Sequence, residues 1–515
     1  MRLLIKSFIK NIGWQHLLLL IILGLAIWLR FWGIRFGLPY LYHPDEPNKI
    51  YFAQQILKTG DLNPHYFLKP SFFIYLNTIV YLPYIALERI LGNEVTISSL
   101  QPPFMLVMGT GYTPQPRTVL IGRLLSLTMG TLSVLGIYFL AKIGFENTFY
   151  ALLSAFFLAI APDQISHSRY ITPDIYVVFF TILTAMGAYR IYQYGKSRDY
   201  LFAFISVGLA ASVKYNAGLV FIFPLASHVL RKGINGLLEW KFYLFGLSSL
   251  LTFIILNPYT VLDFPTFYEG LTSEASHYST GHPGMEGQSF AFYINFFFNT
   301  YGIIAILGLI GILIALIKRD RKWIIFLSFP LIYFVFISCF KVRNDRTGLP
   351  ISPFLILFCV YTLKMLFDRF WQGRDIHKVF FTIVLTLMLA IPMISQDVQN
   401  AQHLTQKDSR ETARVWIKKH IPLYTHIYLE AYCPYVDPSQ YHVGASNSLI
   451  DHDIEWYQEN GYNYVIACQG MFQRYFNQPL LYPEQVDQYN KIFYTLQLEK
   501  EFTDGDYRVL IFRVQ

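Results

Sequence analysis

The sequence predicts a mainly α fold: a polytopic bundle of membrane-crossing helices with a small external α/β domain at its C-terminal end. Three observations carry this prediction. Hydrophobic residues make up 54% of the 515 and charged residues only 14%, and the mean hydropathy is positive. The apolar residues come in long blocks, many of which reach the ~20 residues a helix needs to cross a bilayer. Beyond residue 400 the apolar runs shorten and the charges rise. A chain of this length could form two or three soluble domains, but the block pattern excludes that reading.

The first block, 14–32 (WQHLLLLIILGLAIWLRFW), has Trp and Arg at its edges and no small-residue cleavage site after it, so it reads as an anchored helix and not a signal peptide. Lys and Arg concentrate on the cytoplasmic side of membrane proteins. Arg2, Lys6 and Lys10 precede the first helix and put its start inside, which makes 37–70 the first external loop. Block 71–91 is apolar enough to span, yet the chain must begin and end this stretch outside, and the Pro-rich 101–116 is a poor return helix. Either 71–91 is non-spanning or re-entrant, which is the favoured reading, or 101–116 supplies a return crossing. Crossings are then expected at 118–140, 150–168, 174–193, 242–257, 290–316, 323–340, 350–367 and 379–396. A short hairpin, 200–214 and 217–230, rises from GKSRD, and the strongest basic loop, KRDRK at 318–322, lies inside. The total is about eleven crossings, or eleven to thirteen membrane segments within residues 1–400.

Residues 401–515 form the external domain. DSRETARVWIKKHI (408–421) begins with a capping Asp and turns Ala413, Val415, Trp416 and Ile417 toward one face, the pattern of an amphipathic helix. HIYLEA and YNYVIACQ read as strands, and FYTLQLEKEF and YRVLIFRV around TDGD as a hairpin. The net charge of +8 sits in short inter-helix loops, so it is no nucleic-acid footprint. Four cysteines make no disulfide framework. Cys339 and Cys359 lie in apolar segments, while Cys433 and Cys468 in the C-terminal region are a candidate pair.

By this topology several charged groups share the external side. Asp45 and Glu46 stand between Pro44 and Pro47. Lys69 lies in FLKP, Asp174 ends SRYITPD, and Arg343 and Arg346 lie in KVRNDR between two crossings. Lys214 tops the short hairpin, below the outer surface. Two acids with several fixed cations suit transfer of a sugar from a lipid phosphate. The departing phosphate carries charge that Lys and Arg stabilise, and the acceptor hydroxyl loses a proton that a carboxylate can take. Such a donor needs no nucleotide, in keeping with the lack of a Gly-rich phosphate loop.

Each residue also has a plainer reading. Asp45 could be an interfacial cap, Asp174 the N-cap of IYVVFF, and Lys69 a snorkelling side chain. Arg343 and Arg346 could be loop charges, although they run against the inside bias. His65, His277 and His282 are external, but without metal-ligand spacing.

Over residues 14–360 the chain resembles the GT-C glycosyltransferases, in particular the bacterial branch related to protein O-mannosyltransferases and lipid A aminoarabinose transferases. The resemblance rests on the acid pair after the first helix with NPHYFLKPSFFIYL, and on PDQISHSRYITPDIYVVFFTIL. It implies a polytopic GT-C fold and a polyprenyl-phosphate sugar donor. Asp45 would be the catalytic base or its organiser, Glu46 its paired acid, Lys69 a contact to the lipid phosphate and Asp174 the second external acid. The aminoarabinose transferases carry a metal-associated Glu directly before the lysine; here it is Leu68. A divalent metal therefore stays open, with no ligands assigned, and lipid A specificity is not carried over.

The expected activity is that of an inverting glycosyltransferase in the plasma (inner) membrane, with active site and C-terminal domain on the external, periplasmic side. Asp45, Glu46 and Asp174 form its acidic set, and Lys69, Arg343, Arg346 and Lys214 bind the phosphate. Its partners are the bilayer, the lipid-linked donor and an unidentified lipid, glycan or protein acceptor. A lipid-linked sugar flippase and a non-catalytic envelope-assembly subunit are the rivals. The flippase would need charges along a path through the membrane.

Overall fold

A computed structural model describes residues 13–93, 95–370, 376–504 and 507–514 of the chain. Arg2, Lys6 and Lys10, the middle of the 368–378 loop and part of the TDGD turn lie outside the described residues.

The first apolar block is helix α1 (Trp14–Phe31), after which the chain passes through β1 (Tyr40–Leu41) into α2 (Glu46–Thr59) and α3 (Ser71–Ile90). The acid pair therefore does not sit in an irregular loop: it starts a helix. Pro47 in the first turn has no amide that α2 needs, and Gly60, with φ +74°, closes the other end in the left-handed conformation. A hairpin of β2 (Phe104–Val107) and β3 (Thr110–Tyr112) follows, and β1 pairs antiparallel with β3. Both ends of α3 are tethered. Phe72 donates its amide to Asn257 Oδ1 at 2.9 Å, and Arg117 Nη1 donates to both Glu88 oxygens at 2.9 Å. By length and composition α3 is one of the helices able to cross a membrane.

The bundle continues with α4 (Pro116–Phe145), α5 (Thr148–Ala159), α6 (Pro162–His167), α7 (Asp174–Gln193) and α8 (Ser197–Val213). Then come α9 (Ile222–Lys232), α10 (Trp240–Leu256), α11 (Phe264–Thr280), α12 (Ser289–Tyr301) and α13 (Ile303–Lys318). It closes with α14 (Arg321–Ser338), α15 (Ser352–Phe370) and α16 (Ile376–Thr405). Among the described residues six helices are long and apolar enough to cross a membrane, or seven if one bent pair counts as a crossing; α5 and α10 are apolar but shorter.

Two expected crossings are not single helices. Block 150–168 breaks before Pro162 into α5 and α6. Block 290–316 is α12 and α13, bent by 114°. Gly302 forms the corner at φ +50° and ψ −120°, a conformation open to a residue without Cβ. The basic loops meet at the end of the bundle away from β1–β3. Lys322 pairs with Glu146 at 3.3 Å, and Arg231 donates to the carbonyls of Tyr192 and Tyr194 at 2.6 and 3.2 Å.

The C-terminal domain begins at α17 (Ser409–His420), where Asp408 Oδ1 accepts the Arg410 amide at 2.8 Å. Its strands are β4 (His426–Leu429), β5 (His442–Ala445), β6 (Tyr464–Cys468), β7 (Gln497–Phe502) and β8 (Val509–Arg513), in the order β5-β4-β6-β8-β7. β4 runs parallel to β5 and β6, while β8 is antiparallel to β6 and β7. Side chains alternate between the faces: Ile427, Leu429 and Ile466 pack with α17, and Tyr428, Val465 and Ala467 with the opposite core. Cys433 and Cys468 form a disulfide with Cα atoms 5.4 Å apart. The domain docks on the β1–β3 end: Thr110 Oγ1 donates to the Cys433 carbonyl at 2.9 Å, and the Arg410 guanidinium lies 4.1 Å from the Tyr42 ring centre.

Candidate active site

Asp45 and Glu46 are neighbours with different surroundings. Successive residues on a helix point about 100° apart, and here that rotation separates a sealed acid from an open one. Glu46 is fully buried. Arg123 of α4 grips it with two bonds of 2.8 and 2.6 Å, and the Ile171 amide adds a third at 3.1 Å. Arg123 also donates to the carbonyls of Ile34 and Phe36 at 2.7 and 2.9 Å. Each partner is satisfied, so the pair ties the start of α2 to α4 and to the chain before α7. Expected among the site acids, Glu46 does not face the open cluster, and its geometry is that of a positioning residue.

Asp45 faces Arg346, with which it forms an ion pair; the two side chains are 35% and 30% exposed, which leaves both accessible. Burial works to raise the Asp45 carboxyl, but Arg346, with His43 and Lys49, more than offsets it and holds the carboxyl well below its ordinary range. The Asp45 amide donates to His43 Nδ1 at 3.3 Å, and the His43 ring stacks on Tyr170 at 4.3 Å. Arg346 sits in a single helical turn, Asp345–Gly348, which Asn344 caps by accepting the Thr347 amide at 3.2 Å.

Asp174 is the first residue of α7, and Lys214 donates to it at 2.7 Å. Pro173, and not Asp174, occupies the cap position. Lys214 stands where α8 gives way to a 3₁₀ segment, Tyr215–Phe221, with an extended backbone that projects its side chain inward. Lys69 precedes the proline that opens α3 and pairs with Glu274 of α11. Burial, with Lys214, Lys49 and Arg346 nearby, draws the Lys69 ammonium down to about 7.

Lys69 and Lys214 stand on the wall of a cavity of about 490 Å³ with Glu274, Tyr278, Tyr293 and Thr347. Leu219, Phe221, Leu271, Phe336, Ile337 and Phe340 make the rest of that wall largely apolar. A larger cavity, about 750 Å³, lies between the end of α1 and the start of the C-terminal domain, and none of Asp45, Asp174, Lys69, Lys214 and Arg346 lines it. Lys69 and Lys214 line the smaller one, Asp174 is bonded to Lys214, and Arg346 precedes the lining residue Thr347, so the smaller cavity is the candidate site.

The structure corrects one phosphate-binding expectation. Arg343 does not join the cluster. Its guanidinium donates to the carbonyls of Met285 (3.1 Å), Gly287 (2.9 Å) and Glu286, and lies 5.5 Å from the Phe292 ring centre, so it staples the loop before α12. Among the described residues no three His, Cys, Asp or Glu side chains are placed to hold an ion. His65 pairs with Asp61 at 3.0 Å, and His277 stacks on His282 at 5.5 Å.

Sequence reading missed Lys49, Glu274 and His167. Lys49 follows Asp45 by one helical turn, a signal that required a helix starting at Glu46. Glu274 lies on α11, which is amphipathic and too polar to stand out as a crossing. His167 Nε2 lies 3.3 Å from Asp345 Oδ2.

Residues 89–268, which include Arg123, Asp174 and Lys214, match the dolichyl-phosphate-mannose-protein mannosyltransferase family. No curated protein sequence matches the chain. Among solved structures, ArnT from Cupriavidus metallidurans has a similar fold in its apo state and bound to undecaprenyl phosphate. Each superposes with a TM-score of 0.55 at 13% identity, over 96% of this chain and 97% or 98% of ArnT. The S. cerevisiae protein O-mannosyltransferase Pmt1-Pmt2 complex bound to the sugar donor overlaps over 56% of this chain and 37% of its own, with a TM-score of 0.33 at 18% identity. That overlap is too partial to bear on the fold. Residues 89–268 thus match the mannosyltransferase family, and the chain shares the ArnT fold along nearly its whole length.

Proposed function

We propose that the protein moves a sugar from a polyprenyl-phosphate carrier to an acceptor hydroxyl on the external face, with inversion at the anomeric carbon. The observation that carries this reading is the placement of two acid–cation pairs, Asp45–Arg346 and Asp174–Lys214, beside a largely apolar cavity with Lys69 on its wall. An isoprenoid tail fits the apolar wall, and its phosphate fits the cations. The undecaprenyl phosphate bound by ArnT supports the same class of carrier.

In the transfer, the acceptor oxygen attacks the anomeric carbon from the side opposite the phosphate, and its proton passes to Asp45. The bond between that carbon and the phosphate oxygen breaks, and polyprenyl phosphate leaves with the electron pair. Lys69 and Lys214 stabilise the charge that develops there. Without donor, Arg346 holds Asp45 in a weakly basic state and Glu274 holds Lys69. An arriving phosphate competes for both cations, frees the Asp45 carboxylate and raises its basicity. Lys214, fixed by Asp174, needs no such rearrangement.

Purified protein should transfer sugar from a synthetic polyprenyl-phosphate sugar to an envelope extract, and NMR of the product should show the opposite anomeric configuration. Retained configuration would remove the single-displacement mechanism, and no transfer from any lipid-phosphate sugar would remove the donor assignment.

A further inference from the structure

Where the C-terminal domain meets the β1–β3 end of the bundle there is a separate small cavity of about 190 Å³. Four parts of the chain build it: Tyr40 of β1, Tyr112 of β3, Arg414 and Lys418 of α17, and the loop after β4 with Tyr435, Asp437 and Gln440. The three tyrosine rings cluster, with centres 5.7 Å (Tyr40–Tyr112), 5.8 Å (Tyr40–Tyr435) and 5.2 Å (Tyr112–Tyr435) apart. The Arg414 guanidinium lies 4.4 Å from the Tyr40 ring centre and is held by two bonds to Glu411, of 2.8 and 2.5 Å.

Hydrogen-bonding capacity in this cavity exceeds what the protein uses. Among the described residues the hydroxyls of Tyr40, Tyr112 and Tyr435, the Lys418 ammonium and the side-chain amide of Gln440 have no hydrogen-bond partner. Asp437 commits Oδ1 to Ser439, at 2.9 Å to its amide and 2.8 Å to its hydroxyl, and leaves Oδ2 open. An apolar ligand would strand these groups, and a simple anion would not use the tyrosine faces. A pyranose ring uses both: its C–H face lies on the negative face of an aromatic ring, and its hydroxyls donate and accept around the rim. The volume is below the ~300–1,000 Å³ of pockets for drug-sized ligands, a size for one sugar ring and not a chain.

We infer that this tyrosine-walled cavity binds a sugar unit of the acceptor, which makes the acceptor a glycan or glycolipid. The inference rests on the glycosyl-transfer reading above and specifies its acceptor. Its placement fits that role: Tyr40 lies five residues before Asp45 on the segment that leads into α2.

The test titrates full-length protein in detergent with methyl α-mannopyranoside, methyl β-galactopyranoside and methyl N-acetyl-β-glucosaminide, followed by saturation-transfer NMR. At least one glycoside should bind saturably. Lys418→Ala and Gln440→Ala alter polar rim groups outside the hydrophobic cores, and each should weaken binding by about 2- to 12-fold, the range of a single hydrogen bond. Tyr435→Ala should abolish it, with circular dichroism and melting as the folding control. A parallel titration with bare polyprenyl phosphate should be unchanged in all three variants. Failure of that lipid to bind wild-type protein would count against the donor reading alone. Absence of saturable binding by all three glycosides, or variants that bind them like wild type, would overturn the inference.

Discussion

Asp45 and Glu46 are the same kind of group, adjacent in the chain, each paired with an arginine, and their environments could hardly differ more. Glu46 and Arg123 are sealed from solvent with their bonding capacity filled, whereas Asp45 and Arg346 stay accessible next to a cavity. A third acid extends the comparison. Glu430 in the C-terminal domain is fully buried, pairs with no cation among the described residues, and accepts bonds from Tyr489 (2.5 Å), the Cys468 amide (2.7 Å) and the Leu449 amide (3.0 Å). A sealed ion pair holds structure together, an open one keeps exchangeable partners, and a buried acid without a cation responds to pH. Chemistry needs the open kind, because a base must reach its proton and a cation its phosphate.

The largest expected effect breaks the comparison at Asp45. Asp45→Asn should lower the transfer rate by about 10²–10⁴-fold, the usual loss for a general base, with little change in melting temperature. Activity within a few-fold of wild type would make Asp45 as structural as its neighbour. Glu46→Gln should do the reverse, since removing half of a buried ion pair costs about 3–5 kcal/mol. Thermal melting in detergent should fall sharply while the surviving folded fraction keeps a near-normal rate.

Next in size are the cations. Lys69→Ala and Lys214→Ala should each weaken binding of bare polyprenyl phosphate by about 10- to 100-fold, as expected for a charge-assisted bond. Arg343→Ala should leave it unchanged, because that guanidinium is committed to carbonyls. A lipid titration across the three variants would show whether the open and committed cations differ as the geometry says.

A smaller effect is the pH response of Lys69, whose folded-state value of about 7 lies below that of a free lysine. Its charge is present below that value and lost above it, so phosphate affinity should decline from pH 6 to pH 9. Lys69→Arg should flatten the profile, since arginine stays charged throughout. The smallest effect is on the stability of the C-terminal domain. Burial pushes the Glu430 carboxyl up to about 7, against three hydrogen bonds that favour its charged form. The folded state keeps a proton that the unfolded chain releases near its ordinary pKa. This contribution is therefore fully present below about pH 4.5 and lost as pH rises to about 7. Chemical denaturation should show the domain weakening over that window, and Glu430→Gln should remove the trend.

What the sequence alone determined is whatever local composition controls. Apolar blocks near twenty residues long must be helices in lipid, because only a helix satisfies its own backbone there. The capping Asp408 and the alternating residues of β4 and β6 likewise fix elements through neighbours a few positions away. The candidate residues Asp45, Asp174, Lys69, Lys214 and Arg346 were also legible, because charge is rare in such a chain and each lies in or beside a segment that joins apolar blocks. Only tertiary structure decided which of two adjacent acids is sealed and which stays accessible, since that depends on Arg123, 77 positions from Glu46. It also decided that Arg343 is bound to carbonyls 56 to 58 positions away, and that Glu274 reaches Lys69 across 205. These assignments are set by which groups meet when distant helices pack. Side-chain hydrogen bonds and charge pairs fall off within a few ångströms, so no pattern along the chain records them.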